Sequence, residues 1–156
     1  MRMVREGFIV QLTFMPRMFP VNAYLVEEDR ELTLIDTAMS FSVNKILQAA
    51  EKIGKPITRI VLTHAHSDHV GGLDGLKQQL KNVPVYISKR DSRLLEGDVS
   101  LNKNEPNTPI RGGIPKKLTV RADVLLEEND RIGSLLAMSV PGHTPGSMSF
   151  LDTRSG

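Results

Sequence analysis

The chain has 156 residues, 40% hydrophobic and 24% charged, with 20 Lys and Arg against 18 Asp and Glu for a formal net charge of +2, and no cysteine. That length suits a single domain able to bury roughly two thirds of its unfolded surface, and the missing thiols exclude a disulfide-stapled module and a cysteine-ligated zinc finger. Basic residues are dispersed and aromatics make up only 4%, so no nucleic-acid partner is expected, and no apolar run approaches the roughly 20 residues that span a bilayer.

Met1 to Gly7 carries positive charge, but the apolar FIVQLTF after it is interrupted by Gln11 and Thr13, which argues against a signal peptide. The expected location is cytoplasmic, a setting with which the absent cysteines agree. Phe8 to Leu12 and Asn22 to Val26 read as strands, joined by a loop that Pro16 and Pro20 hold out of continuous pairing. The Met and Phe side chains of that loop either cover a site or plug a sheet edge. Glu28-Asp29-Arg30 supplies a hairpin turn into a third strand, Glu31 to Asp36.

The period then changes. Val43, Ile46, Leu47, Ala50 and Ile53 recur at helical spacing, and Gly54 followed by Pro56 stops the helix. Arg59 to Thr63 is a short apolar strand, and Val70, Leu73, Leu76 and Leu80 mark the buried stripe of a second helix. Val85 to Ile87 adds a strand and Lys89 to Leu95 a short helix. Residues 96–117 carry Pro106, Pro109, Gly112, Gly113 and Pro115 in place of any period, as expected of a flexible or lid-like loop. Val120 to Leu126, Gly133 to Val140 and Ser147 to Asp152 read as strands, and Asp152 to Gly156 as a turn. The last strand has no following segment to pair with, so an exposed sheet edge and a homo-oligomer formed through it are expected.

Chemistry concentrates in two polar turns, each following an apolar strand. In Thr63-His64-Ala65-His66-Ser67-Asp68-His69-Val70-Gly71-Gly72, an extended backbone puts His64 and His66 on one face, where both can address one centre. Asp68 and His69 fall at the turn into the helix, where they can address a neighbouring centre, and Gly71-Gly72 permits close backbone approach. Val140-Pro141-Gly142-His143-Thr144-Pro145-Gly146-Ser147 presents His143 from an unusual backbone path. These two segments hold all four histidines of the chain, which makes metal binding the economical reading. Imidazoles suit zinc well, with manganese or iron as alternatives where a carboxylate contributes.

Through Asn22-Ala23-Tyr24-Leu25-Val26, Leu34-Ile35-Asp36-Thr37-Ala38, THAHSDHVGG and PGHTPGS, the sequence resembles the metallo-beta-lactamase-fold hydrolase superfamily, its glyoxalase-II-like and lactonase-like branches more than the true beta-lactamases. The resemblance implies an α+β fold, an αβ/βα sandwich of one domain over residues 1–156, with metals in a cleft at the sheet edges. It implies that His64, His66 and His143 hold a first metal, that Asp68 and His69 contribute to a second, and that Asp36 orients a ligand or bound water from behind; a turn or capping role is the alternative for Asp36. It also implies that water activated by zinc, or by manganese or iron, attacks the carbonyl of a small ester, thioester, lactone or amide, with Asp68 as the catalytic carboxylate.

The family pattern further contains a bridging aspartate in a Gly-Asp sequence and a final histidine, and neither is present. The expectation is a C-terminally truncated domain with an incomplete second half and one stronger metal site at His64, His66 and His143. A non-catalytic metal-binding or self-associating fragment and an RNA-processing branch of the fold are the alternatives to the hydrolase.

Overall fold

The computed structural model of the chain describes residues 1–155. Strands β1 (Arg2–Glu6), β2 (Ile9–Phe14), β3 (Val21–Glu27) and β4 (Leu32–Ile35) form an antiparallel meander. Beside it β5 (Ile57–Val61), β6 (Val85–Ser88) and β7 (Val124–Leu126) add in parallel, completing a seven-stranded sheet in sequence order. Parallel neighbours need crossovers, and three helical ones supply them. These are α1 (Val43–Ile53), the pair α2 (Ser67–Val70) and α3 (Leu73–Gln79), and α4 (Ser92–Leu95) with the long segment after it. A second sheet of β8 (Arg131–Ile132), β9 (Leu135–Ser139) and β10 (Met148–Asp152) is antiparallel in the order β10-β9-β8.

The alternation of β2 sorts its side chains between two cores. Val10, Leu12 and Phe14 are buried with Ile46 and Ala49 of α1, Leu73 and Leu76 of α3, and Leu94 and Leu95 of α4. On the opposite face Ile9 and Tyr24 pack with Val26, Ile35 and Leu135, and Val61 and Tyr86 pack with Leu126, Ile132, Ala137 and Met148. The layers are therefore helices, large sheet, small sheet. β4 lies between them and is buried at all four positions, as a central strand covered on both faces must be. The outward residues Met138 and Leu151 of the small sheet are 40% and 41% exposed, so its outer face carries no packed layer among the described residues. This is the α+β sandwich with an incomplete second half.

Several boundaries differ from expectation. Strand β1, with three charged residues around Met3 and Val4, pairs with β2 although all five of its residues are exposed. The helix predicted across Val70 to Leu80 is broken at Gly71-Gly72 into α2 and α3. Of Val120 to Leu126 only the last three residues pair, and Gly133 to Val140 is a tight turn followed by β9. Helix α1 spans the predicted residues, with Gly54 left-handed (φ 80°) and its N–H donated to the Ala50 and Glu51 carbonyls. The predicted final turn packs inward through Arg154, which pairs with Asp152, donates to the Glu27 carbonyl and lies 3.9 Å over the Phe8 ring; Gly156 lies outside the described residues. Among the described residues β10 is paired on one side only, by β9. Among the described residues, no helix is long and apolar enough to cross a membrane.

Candidate metal centre

Asp36 follows β4, Thr63 and His64 follow β5, and Asp91 follows β6, so the C-terminal edge of three adjacent parallel strands delivers polar side chains to one place. Crevices beyond that edge are where open α/β sheets bind ligands. His143 comes from the other sheet, on the turn after β9, and Met148 N–H bonds to the Thr63 carbonyl (2.9 Å) to hold the two turns side by side.

His64, His66 and His143 form a cluster whose ligand atoms all lie within 4.8 Å of one another. Their ring centroids are 4.6 to 4.8 Å apart and their planes cross at 77° to 89°, so the imidazoles stand edge to face around one point. His66 Nδ1 and His143 Nε2 are 2.9 Å apart. Zinc–nitrogen bonds of about 2.0–2.1 Å place tetrahedral donors roughly 3.3 Å from each other, a spacing that this cluster brackets.

The hydrogen bonds behind the cluster select the tautomer of His64. Asp36, left-handed at φ 57° and buried, accepts Thr63 N–H at Oδ1 (2.8 Å) and the Thr63 hydroxyl at Oδ2 (2.8 Å). A carboxylate only accepts, so the single hydroxyl proton of Thr63 is committed to it. The Thr63 oxygen, 3.0 Å from His64 Nδ1, must then accept from that nitrogen. His64 Nε2 is left unprotonated, buried and without a hydrogen-bond partner among the described residues. Such an atom is costly unless a cation takes its lone pair. Burial, with the charges of His69, His66 and His143 added, holds the His64 imidazole down to about 3, and burial next to His143 lowers that of His66.

His69 is oriented by the same carboxylate, its Nδ1 2.7 Å from Asp36 Oδ2, and its ring centroid is 4.1 Å from that of His64. Burial opposes charge on His69, but the hydrogen bond and charge of Asp36, joined by Asp68, carry its imidazole above the ordinary histidine value. Asp68 Oδ2 stands 3.7 Å from His69 Nε2, with a third of the side chain in solvent. Asp68 and His69 thus lie beside the three-histidine cluster and outside it. Asp152 is bound at both oxygens by Arg154, which lowers its pKa.

Local backbone contacts explain the turn glycines. A Cβ at Gly72 would lie 2.5 Å from the Thr37 carbonyl, and at Gly71 2.7 Å from that of Ser67. Sequence reading gave residues 96–117 as a flexible or lid-like loop and named none of them for the site. Ser67 bonds to the Gly113 carbonyl through both N–H and hydroxyl (2.7 Å each), and the His66 ring lies against the Arg111-Gly112 backbone. Gly112, at φ 111°, would put a Cβ 2.6 Å from His66 Cε1 and Nε2. An open cleft of about 930 Å³ runs from this segment to the His143 turn, lined by Leu101, Pro106, Ile110, Arg111, Pro141 and His143 among others.

Residues 16–156 match the family model of the metallo-beta-lactamase superfamily. The chain belongs to that superfamily. Its assignment at the level of the family is metal-dependent hydrolase. It is 56% identical over all 156 residues to the uncharacterized protein YobT of Bacillus subtilis (strain 168), of which it spans 67%. It is 32% identical over 134 residues to the probable metallo-hydrolase YqgX of the same organism, the alignment covering 83% of this chain and 59% of YqgX. Among solved structures, TTHA1623 in a di-iron-bound form aligns over 93% of this chain and 67% of its own, with 34% identity and a TM-score of 0.69. This superfamily member therefore spans about three fifths to two thirds of the length of those relatives.

Proposed function

We propose that this superfamily member hydrolyses a small ester, thioester, lactone or amide, using water activated by a metal at His64, His66 and His143. The observation that carries the reading is the three-imidazole corner with His64 Nε2 buried and unpaired inside it. When bound there, a dication supplies a water of lowered pKa and a positive charge for the developing oxyanion. Asp36 and Thr63 keep the His64 proton on Nδ1, and Asp36 fixes the His69 ring. Asp68, a third in solvent beside His69, orients the attacking water and accepts its proton. The apolar side chains of the cleft hold the acyl part, with residues 96–117 acting as its lid.

Three neutral imidazoles favour zinc. The similarity to TTHA1623, a protein seen with two irons, makes iron the first alternative and manganese the second. Asp68 and His69 offer too few donors for a tight second ion, so occupancy is asymmetric, with the three-histidine position filled first. The measurement is metal analysis of the purified chain together with hydrolysis of thioester and lactone panels before and after chelation. About one equivalent of tightly held metal and turnover that returns on zinc or iron addition are expected. Turnover undiminished by complete metal removal would overturn the proposal.

A non-catalytic metal-binding or self-associating fragment is the second reading, favoured by β10, which among the described residues is paired on one side only and exposes Leu151. Light scattering across a range of protein concentrations separates the two, a dimer with no turnover supporting this alternative.

A further inference from the structure

Asp91 is fully buried and sits at the N-cap position of α4, where an aspartate ordinarily bonds to the first free N–H groups of its own helix. It makes no such bond. Its Oδ2 instead accepts Ala65 N–H (3.1 Å) and the Thr144 hydroxyl (2.7 Å), and its Oδ1 accepts Gly146 N–H (2.9 Å). Its own N–H is held by Ser88 Oγ (3.0 Å) at the end of β6. Among the described residues it pairs with no Lys, Arg or His side chain.

The three donors identify what this carboxylate joins. Ala65 lies between His64 and His66, and Thr144 and Gly146 follow His143 on the turn from the other sheet. One rigid side chain thus clamps the segments carrying all three imidazoles, though they are separated by more than 70 residues of sequence. A buried carboxylate served only by neutral donors is expensive in isolation, and a cation nearby offsets that cost. We propose that Asp91 is a positioning residue of the metal centre, setting the distance between the His64–His66 turn and the His143 turn and through it the metal affinity, without touching the ion. This inference rests on the metal-binding reading given above.

Asp91→Asn separates positioning from bulk stability. The amide has one acceptor oxygen, so in either orientation its NH2 group faces a backbone N–H, of Ala65 or of Gly146, and one clamp is lost. Cobalt(II) is titrated into metal-free wild type and variant, with visible absorption reporting affinity and coordination geometry and circular dichroism confirming that both remain folded. Asp91→Asn is expected to weaken cobalt binding about tenfold or more and to change the shape of the cobalt bands. A folded variant with wild-type affinity and bands, even one that melts earlier, would show a merely structural role and sink the inference. Should Asp91→Asn not fold, Thr144→Val removes only the hydroxyl tie, and the same two readings decide the matter. Wild type that binds no cobalt refutes the metal reading itself, and the inference with it.

Discussion

The protons around His64 are arranged by Asp36, distant in sequence, acting through the neighbouring Thr63. Asp36 takes the Thr63 proton, Thr63 takes the Nδ1 proton of His64, and Nε2 is turned inward with its lone pair free. The sequence left Asp36 divided between a turn role and an orienting role. In the structure its backbone makes a left-handed turn, and its carboxylate accepts Thr63 N–H and lies 2.7 Å from His69 Nδ1. Gly112 had been only a breaker in an irregular stretch, because no local pattern reveals which residue a glycine's missing Cβ makes room for. Gly112→Ala adds a carbon 2.6 Å from two atoms of the His66 ring at a φ that L-residues avoid. It is expected to cost about 1 kcal/mol or more of stability and to weaken zinc binding about tenfold. Competition with a chromophoric chelator measures the latter, and unchanged affinity would show that His66 is not held by this contact.

Among the elements, those with strong local signals were legible. Helix α1 has both its periodic stripe and its terminating Gly54, and it forms over the expected residues. The 70–80 helix carries an equally good stripe, but the close packing of Gly71-Gly72 against the Thr37–Ala38 turn breaks it. Tertiary contact outweighed periodicity there. Strand β1 has no apolar face at all, so nothing in its sequence distinguishes it from a frayed terminus until β2 offers a ladder.

The segment after α4 has no regular element, yet Ile110, Ile114, Leu118 and Val120 pack against the main core. It is also tied to the end of β6 by Arg90, which forks onto the Glu105 carboxylate. That guanidinium, with Asn102 N–H assisting, holds Glu105 down at about 2 from an ordinary 4.5. A depressed carboxylate contributes stability above its unfolded pKa and loses it as the pH falls toward the folded value. Glu105→Gln should therefore lower the urea midpoint relative to wild type at pH 6–7. The difference should shrink between pH 4.5 and about 2. A difference independent of pH over that range would show that the ion pair is not its source.

For the whole molecule, the three-histidine cluster lies where two sheets meet, so a metal bound there would also tie the sheets together. A ligand bound only by the folded state stabilises it by about 2.7 kcal/mol when its free concentration is 100 times Kd. For a domain of this size that is roughly 5–10 °C in Tm. Zinc addition should raise the melting temperature of metal-free wild type by about that amount, and His143→Ala should lose the increment while retaining the fold. An equal zinc shift in His143→Ala would remove the second sheet from the account of the centre.

Residue types, their spacing and their alternation, with the resemblance they carry, were enough to give the superfamily, most of the elements and the four histidines, because ligand chemistry and hydrophobic period are local properties written residue by residue. Tertiary structure alone decided which imidazoles share one point and which nitrogen of His64 faces inward. It also decided that Asp91 and Gly112, unremarkable in the sequence, press against the turns that hold the ligands. Those depend on distances between segments tens of residues apart, which only the packing of the two sheets and the crossovers brings within hydrogen-bonding range.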